Sequence, residues 1–175
     1  MSRVALLGGS FDPPHSAHLQ VARHLLDSGD FDEVWVLPSP QNPLKPSSSS
    51  FEDRLAMCRL AFAGLEPAVQ VHDDERALSG FTIDLARKLR AEHPDREFRF
   101  VGGSDLREEL PRWKDSAELR KLLGFVFLPR PPDPASPFLP ISSREIRERA
   151  KKGLSLAGLL PPSVERYIQE HRLYR

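Results

Sequence analysis

The sequence predicts an α/β fold: a Rossmann-like, doubly wound parallel sheet of about five strands with helices on both faces. Two observations carry this prediction. Apolar runs of strand length alternate with segments of helical periodicity, as expected for strands joined by crossover helices. Two of these runs end in paired glycines, Gly8-Gly9 and Gly102-Gly103. Ligands bind at the carboxyl ends of the strands in such sheets, so a candidate site is expected there.

The predicted elements follow one another along the whole chain. The strands are short and rich in valine, leucine and phenylalanine, at residues 4–7, 34–37, 69–71, 97–101 and 125–128. The helices repeat apolar residues at helical spacing, at residues 18–26, 52–63, 82–91, 116–123, 143–151 and 163–171. Two proline-rich stretches, residues 38–50 and 129–140, are predicted to be loops. A length of 175 residues suits one domain, so residues 1–175 are assigned to a single domain.

Composition argues against several classes of protein. Lysine plus arginine number 25 and so do aspartate plus glutamate, a neutral balance that disfavours a dedicated nucleic-acid binder. No apolar run approaches the roughly 20 residues that span a bilayer, so no membrane partner is expected. The single cysteine, Cys58, cannot form an internal disulfide, and a cytoplasmic location is expected. Cys58 and Trp35 are assigned to the core, and homo-oligomerisation stays open.

The segment from Gly8 to His18 has the features of a phosphate site. Glycines at a strand end let backbone N–H groups approach a phosphate. The helix that starts near His15 points its positive dipole end at the same place. His15 and His18, three residues apart, share one face of a helical turn and can both donate to phosphate oxygens. An alternative is a plain strand–helix turn with two surface histidines. A zinc site is disfavoured because the other histidines form no clear cluster.

The same segment resembles the nucleotidyltransferase signature with its His-x-Gly-His element. It resembles more closely the opening of the bacterial nicotinate-nucleotide adenylyltransferases. Further stretches are similar to that family in the expected order: Asn42-Pro43-Leu44-Lys45, Phe81-Thr82-Ile83-Asp84, Gly103-Ser104-Asp105 with Trp113-Lys114, residues 141–147, and the ending from residues 160–164 through Tyr167-Ile168 and Leu173-Tyr174. The resemblance therefore covers nearly the whole chain.

This resemblance implies adenylyl transfer from ATP to nicotinate mononucleotide, which gives deamido-NAD and pyrophosphate. It implies Mg²⁺ carried on the ATP phosphates, with no dedicated protein cage. The implied catalytic residues, which contact the phosphates, are His15, His18 and Arg147. The implied ATP-binding positions are Gly8, Gly9, Ser10, Phe11, Gly103, Asp105, Ser142 and Ser143. The implied mononucleotide-binding positions are Lys45, Thr82 and Trp113.

Several of these positions also have an ordinary structural interpretation. Residues 142–147 fit a capped helix with a solvent-exposed arginine. Trp113, expected to stack on the nicotinate ring, also fits a ring packed under a loop. Asp105, expected to accept hydrogen bonds from a ribose, fits a helix N-cap, and so does Thr82, expected near the nicotinate carboxylate. Lys45, expected to reach a phosphate from a lid, fits a solvated loop lysine.

Three features depart from the family pattern. Ala17 stands where the family has glycine, and its methyl group would crowd the nucleotide at a cost of about 1–3 kcal/mol. Leu44 replaces a histidine, and the stretch from Pro131 to Pro140 is shorter than usual, which predicts trimmed or rearranged strands nearby. Two other functions therefore stay open: a related nucleotidyltransferase with another acceptor, such as nicotinamide mononucleotide, and an inactive nucleotide-binding regulator.

Overall fold

The computed structural model describes residues 1–40 and 47–175, and it confirms the predicted fold class. Its strands are Ser2–Gly9 (β1), Glu33–Pro38 (β2), Val69–Val71 (β3), Arg96–Gly103 (β4) and Gly124–Leu128 (β5). They form one five-stranded sheet in the order β3-β2-β1-β4-β5, and every neighbouring pair is parallel.

Helices connect and follow these strands. Their bounds are Ser16–Asp27 (α1), Phe51–Phe62 (α2), Thr82–Glu92 (α3), Leu106–Glu109 (α4), Ser116–Leu122 (α5), Ser143–Lys151 (α6) and Pro162–Glu170 (α7). None of the helices in the described ranges is long and apolar enough to cross a membrane.

Two hydrophobic cores lie on opposite faces of the sheet, because successive strand residues point to opposite sides. Ala5 and Leu7 of β1 pack in a core with residues from α1, α2, α6 and α7. Val4 and Leu6 pack in the other core with residues from α3 and α5. Helices therefore cover both faces, as predicted. Trp35 and Cys58 are buried.

The two glycine pairs end the neighbouring strands β1 and β4, where the chain connections run to opposite sides of the sheet. The chain leaves β1 towards β2 on one side, whereas β4 pairs with β1 on the other side. In doubly wound sheets the crevice at the carboxyl ends of two such strands binds ligands. Gly8-Gly9 end β1 and Gly102-Gly103 end β4. A Cβ atom on Gly102 would lie 2.6 Å from Leu106 Cδ1, so glycine is needed for the close approach of α4.

The strands β1 and β4 extend beyond the predicted apolar runs. Ser2 pairs with Arg96 and Arg3 with Glu97, so polar residues continue the ladder past the buried core. Apolar content identifies the buried part of a strand, whereas backbone pairing continues as long as a neighbour is present. Residues 129–142 contain neither helix nor strand, and β5 lies at the edge of the sheet.

Candidate active site

The turn after β1 leaves backbone, rather than side chains, facing the crevice. A Cβ atom on Gly8 would lie 3.1 Å from Phe100 Cε2, so a larger residue would require that ring to shift by a few tenths of an ångström. Phe11 adopts a left-handed φ of +48°. Its ring is buried, 6.3 Å from the ring of Phe62 and 4.8 Å from that of His18. Phe11 therefore offers a ligand only its backbone.

The two histidines lie together at the start of α1. Their rings stack with centroids 3.7 Å apart. The backbone N–H of His15 donates to Nδ1 of His18 at 3.1 Å, which leaves the proton of a neutral His18 on Nε2. His15 is the N-cap residue of α1 and is 5% exposed, so the alternative of two surface histidines is wrong. Among the described residues, nothing bonds its buried Nδ1.

Burial sets the protonation state of these imidazoles. It lowers the pKa of His15 to about 4. Burial also lowers the pKa of His18 well below its ordinary value, and the neighbouring His15 adds a smaller effect in the same direction. Both rings are therefore neutral near pH 7, and each can offer an N–H group as a hydrogen-bond donor.

The start of α6 is bonded directly to the turn after β1. The Ser143 hydroxyl donates to the Pro13 carbonyl at 2.8 Å, and Arg147 Nη1 donates to the Asp12 carbonyl at 2.7 Å. Arg147 is half-buried, so the alternative of a solvent-exposed arginine is wrong. Ser142 is the cap, because its hydroxyl oxygen accepts from the Glu145 N–H at 3.1 Å. We call residues 8–18 and 142–147 the turn cluster.

The side chain of Asp12 joins the turn to two other segments. It is 4% exposed. Its carboxylate accepts hydrogen bonds from the Ser48 N–H at 2.6 Å, the Ser49 hydroxyl at 2.5 Å and the Tyr174 hydroxyl at 2.7 Å. These bonds satisfy a carboxylate that would otherwise be costly to bury.

A buried arginine braces the other side of the turn. Arg54 of α2 has no exposed surface. Its Nη1 donates to the carbonyls of Ser10 and Ser39 at 2.7 Å each, and its Nη2 donates to the Pro40 carbonyl at 2.8 Å. One guanidinium group thus holds the segment after β1 against the segment after β2.

A second group of candidate residues surrounds the start of α3. Lys114 Nζ lies 4.8 Å from the ring centroid of Phe81, which brings the Trp113-Lys114 segment beside Thr82. The ring of Trp113 meets that of Phe100 edge to face, with centroids 5.8 Å apart. Because Phe100 also lies against Gly8, this group adjoins the turn cluster. We call residues 79–84 and 113–114 the aromatic cluster.

Nearly the whole chain is similar in sequence to known proteins. A model of the cytidylyltransferase-like family matches residues 6–149. A relative from Anaeromyxobacter dehalogenans named "Probable nicotinate-nucleotide adenylyltransferase" is 41% identical and covers 98% of this chain and 96% of its own. One of the same name from Halalkalibacterium halodurans is 38% identical and covers 100% of this chain and 92% of its own. The chain belongs to the nicotinate-nucleotide adenylyltransferase family.

Solved structures share the fold of this family member. The Plasmodium falciparum nicotinic acid mononucleotide adenylyltransferase complexed with NaAD has a TM-score of 0.85 and 23% identity, and the alignment covers 99% of this chain and 98% of that one. The same protein complexed with APC has a TM-score of 0.83 and 22% identity. At these identities the likeness shows the fold alone.

The structural alternatives for Thr82 and Asp105 have different outcomes in this family member. Thr82 is the first residue of α3 rather than its cap. The Ser79 hydroxyl makes hydrogen bonds at the start of α3 instead. It accepts from the Phe81 N–H at 3.1 Å and donates to the Asp84 carboxylate. Asp105 is the N-cap residue of α4, as its structural alternative expected, although its side chain makes no capping bond and pairs with Arg130.

Other predicted positions have mixed outcomes. Trp113 packs on Phe100 and is also half-exposed, so both of its interpretations are compatible with its place. A Cβ atom on Gly103 would lie 2.7 Å from Arg130 Nε, so a larger residue there would displace this exposed arginine side chain. Ala17 is 8% exposed, and its methyl group is already covered in the free protein. Lys45 and Leu44 lie outside the described residues.

Three residues with contacts at the site were not among the predicted site residues: Asp12, Arg54 and Tyr174. Asp12 lies within the segment from Gly8 to His18, but the sequence did not predict a function for its side chain. Arg54 carried a detectable signal, because it lies three and four residues before Met57 and Cys58 and so shares their buried helix face. Tyr174 lies in the terminal stretch that resembles the family, but its contact with Asp12 had no local signal, since the two residues are 162 positions apart in the sequence.

Proposed function

We propose that this protein transfers the adenylyl group of ATP to nicotinate mononucleotide, with deamido-NAD and pyrophosphate as products. One observation carries the chemistry: Ser143 and Arg147 of α6 bond to the carbonyls of Pro13 and Asp12, which shortly precede the stacked imidazoles of His15 and His18 in the chain. The names of the relatives support nicotinate mononucleotide as the acceptor.

The reaction needs alignment of two anions more than it needs a base. A phosphate oxygen of the mononucleotide attacks the α-phosphorus of ATP, and the bond from that phosphorus to the oxygen bridging to the β-phosphate breaks, which releases pyrophosphate. The attacking oxygen is already ionised. The protein must therefore position both phosphates and stabilise the charge that moves onto the leaving group.

The turn cluster has the donors for this task. His18 has a fixed tautomer with its proton on Nε2, and together with His15 it would donate to α- and β-phosphate oxygens. Gly8, Gly9, Ser10 and the backbone of Phe11 would line the triphosphate. Nη1 of Arg147 donates a hydrogen bond to the Asp12 carbonyl. The remaining N–H groups of Arg147 would contact the β- and γ-phosphates. Ser142 and Ser143 hold the start of α6, whose dipole favours anions.

We propose that Mg²⁺ arrives on the phosphates of ATP. The part of the chain that the structure describes has no group of three or more histidine, cysteine, aspartate or glutamate residues that could hold a metal ion. The carboxylate of Asp12 is already occupied by three hydrogen bonds. Bound Mg²⁺ would neutralise part of the triphosphate charge, while the positioning falls to the residues of the turn cluster.

The aromatic cluster would bind the mononucleotide. The exposed face of Trp113 would stack on the nicotinate ring, and the N-terminus of α3 at Thr82 would face its carboxylate. Asp105 would accept hydrogen bonds from a ribose, which requires its pairing with Arg130 to open or to be shared. Gly103 allows the close approach at this point, and Lys45 would reach a substrate phosphate. Residues 1–175 would act as one domain in the cytoplasm.

A substrate screen tests this proposal. The protein is incubated with ATP and Mg²⁺ and with either nicotinate or nicotinamide mononucleotide, and pyrophosphate release is measured. We expect release that depends on the acceptor, with kcat/KM at least about tenfold higher for nicotinate mononucleotide, because one charged contact is worth about that factor. Preference for the nicotinamide compound would support the alternative acceptor. Binding of ATP without turnover on either acceptor would support the inactive regulator.

A further inference from the structure

The segment after α7 returns to the turn cluster and touches it through one side chain. The Tyr174 hydroxyl donates to Oδ1 of Asp12 at 2.7 Å and lies 3.2 Å from the Ser49 hydroxyl oxygen. Tyr174 adopts a left-handed φ of +60°, a conformation that non-glycine residues keep only where their surroundings enforce it. Its ring packs against the core that contains Phe11.

Asp12 transmits this contact to the residues expected to bind phosphate. The carboxylate of Asp12 accepts from Tyr174, and the carbonyl of the same residue accepts from Arg147. The next carbonyl along the chain, that of Pro13, accepts from Ser143. A change in the orientation of Asp12 would therefore shift the anchor of the Arg147 guanidinium group.

We infer that Tyr174 is a positioning residue of the active site: its hydroxyl holds Asp12 so that the Asp12 carbonyl aims Arg147 at the triphosphate. The inference rests on the proposed function, because it takes Arg147 as a phosphate ligand. Tyr174 bonds to Asp12 and Ser49 rather than to the residues expected to contact substrate. Burial raises the pKa of the Tyr174 hydroxyl far above neutrality, and the charge of Asp12 raises it further. The group therefore stays a hydrogen-bond donor across the working pH range.

The chain offers a matched control. Tyr167 of α7 also donates its hydroxyl to a carboxylate, that of Asp53, at 2.9 Å. Asp53 lies in the first turn of α2, where its side chain is bonded by Ser50 and Tyr167. Removing either tyrosine hydroxyl deletes the same kind of bond, but only Tyr174 is connected to Arg147.

The first experiment compares Tyr174→Phe with Tyr167→Phe. We expect Tyr174→Phe to lower kcat about tenfold, because small misplacements of a charge-stabilising group cost this much or more. Tyr167→Phe should leave kcat within about twofold of the wild type, although both variants lower the melting temperature by similar amounts. Equal kcat in the two variants would make Tyr174 merely structural and overturn the inference.

The second experiment is a double-mutant cycle with Arg147→Ala. If Tyr174 acts through Arg147, Tyr174→Phe should change kcat by less than about twofold in the Arg147→Ala background. Multiplicative effects of the two changes would overturn the inference. Should Tyr174→Phe fail to fold, Ser49→Ala replaces it in both experiments, because Ser49 donates to the same Asp12 oxygen.

A different measurement distinguishes failure of the proposed function from failure of the positioning role of Tyr174. If the wild type released no pyrophosphate on either acceptor, the adenylyltransferase proposal would fail. The positioning of Arg147 would then be measured by calorimetric binding of ATP with Mg²⁺. Weaker binding by Tyr174→Phe but not by Tyr167→Phe would support the inference, and equal binding would overturn it.

Discussion

The turn cluster and the aromatic cluster adjoin at Phe100 but are held in different ways. In the turn cluster, the side chains of Ser143 and Arg147 bond to backbone carbonyls, and the His15 ring, which stacks on that of His18, is buried. In the aromatic cluster, Lys114 lies over an exposed Phe81 ring and 3.9 Å from Asp84. Bonds to a buried backbone fix geometry, whereas exposed ion pairs contribute little and rearrange easily.

This difference matches what each part of the proposed reaction requires. Charge develops on the phosphates in the transition state, and donors that are already in place stabilise it without reorganising. The acceptor must instead be admitted, recognised and released as a dinucleotide, which favours a surface that can adjust. The comparison predicts that changes in the turn cluster affect kcat, whereas changes in the aromatic cluster affect KM for the mononucleotide.

The largest expected effect comes from the turn cluster. His18→Ala removes an N–H donor, and we expect kcat to fall by at least about 100-fold, as for other losses of a transition-state donor. Steady-state pyrophosphate release measures this change. His24→Ala on the exposed face of α1 is the control and should leave kcat near that of the wild type. Near-normal turnover of His18→Ala would contradict the prediction that changes in the turn cluster lower kcat.

A smaller effect of a different kind is expected from the aromatic cluster. Trp113→Ala should raise KM for the mononucleotide about tenfold, because stacking on an aromatic ring is worth about 1–3 kcal/mol. KM for ATP should change by less than about twofold, and Trp113→Phe should be intermediate. Because Trp113 also packs on Phe100, melting temperatures are measured alongside. An equal rise of KM for both substrates would contradict stacking.

The histidine pair of the turn cluster and Glu75, outside both clusters, titrate in opposite directions. His15 and His18 have lowered pKa values when folded, so the unfolded chain binds their protons more readily. Their contribution to stability is therefore lost as the pH falls from about 6.5 towards about 4. Glu75, in the loop that leads into α3, behaves in the opposite way. Burial, and to a lesser degree the Asp74 charge, raise its pKa to about 8.

The smallest predicted effect tests this titration. The folded state keeps a proton on Glu75 that the unfolded chain releases above about pH 4.5, so stability falls as the pH rises towards about 8. Glu75→Gln removes the titration. The free energy of unfolding of this variant, relative to the wild type, should rise by about 1 kcal/mol per pH unit between about pH 7 and about pH 8. Urea unfolding measures it, with the exposed Glu66→Gln as control. A pH-independent difference would contradict the assignment.

Much of the fold was predictable because its signals are local. The runs at residues 4–7 and 34–37 are strands, as predicted. Glycine and proline residues form the carboxyl ends of these two strands. The family was also predictable, because the segment from Gly8 to His18 is compact in sequence. Element bounds were less predictable. β1 continues to Ser2 because β4 pairs with it there, and the residues of β1 do not indicate which strand pairs with them.

The candidate site was only partly predictable. His15, His18 and Arg147 were identified by their motifs, but burial of the histidines and the resulting pKa changes depend on what packs around them. Thr82 is the first residue of α3 and not its cap, whereas Asp105 is the N-cap residue of α4 with its side chain paired to Arg130. Their binding roles stay predictions.

By itself the sequence determined which segments are strands and helices, the glycine turn with its two histidines, and the family, because each depends on residues close together in the chain. Only the tertiary structure decided how these parts are joined: the strand order, the bonds from α6 to the turn, the brace of Arg54, and the contact of Tyr174 with Asp12. Those contacts join residues far apart in the sequence, so no local pattern of residues encodes them.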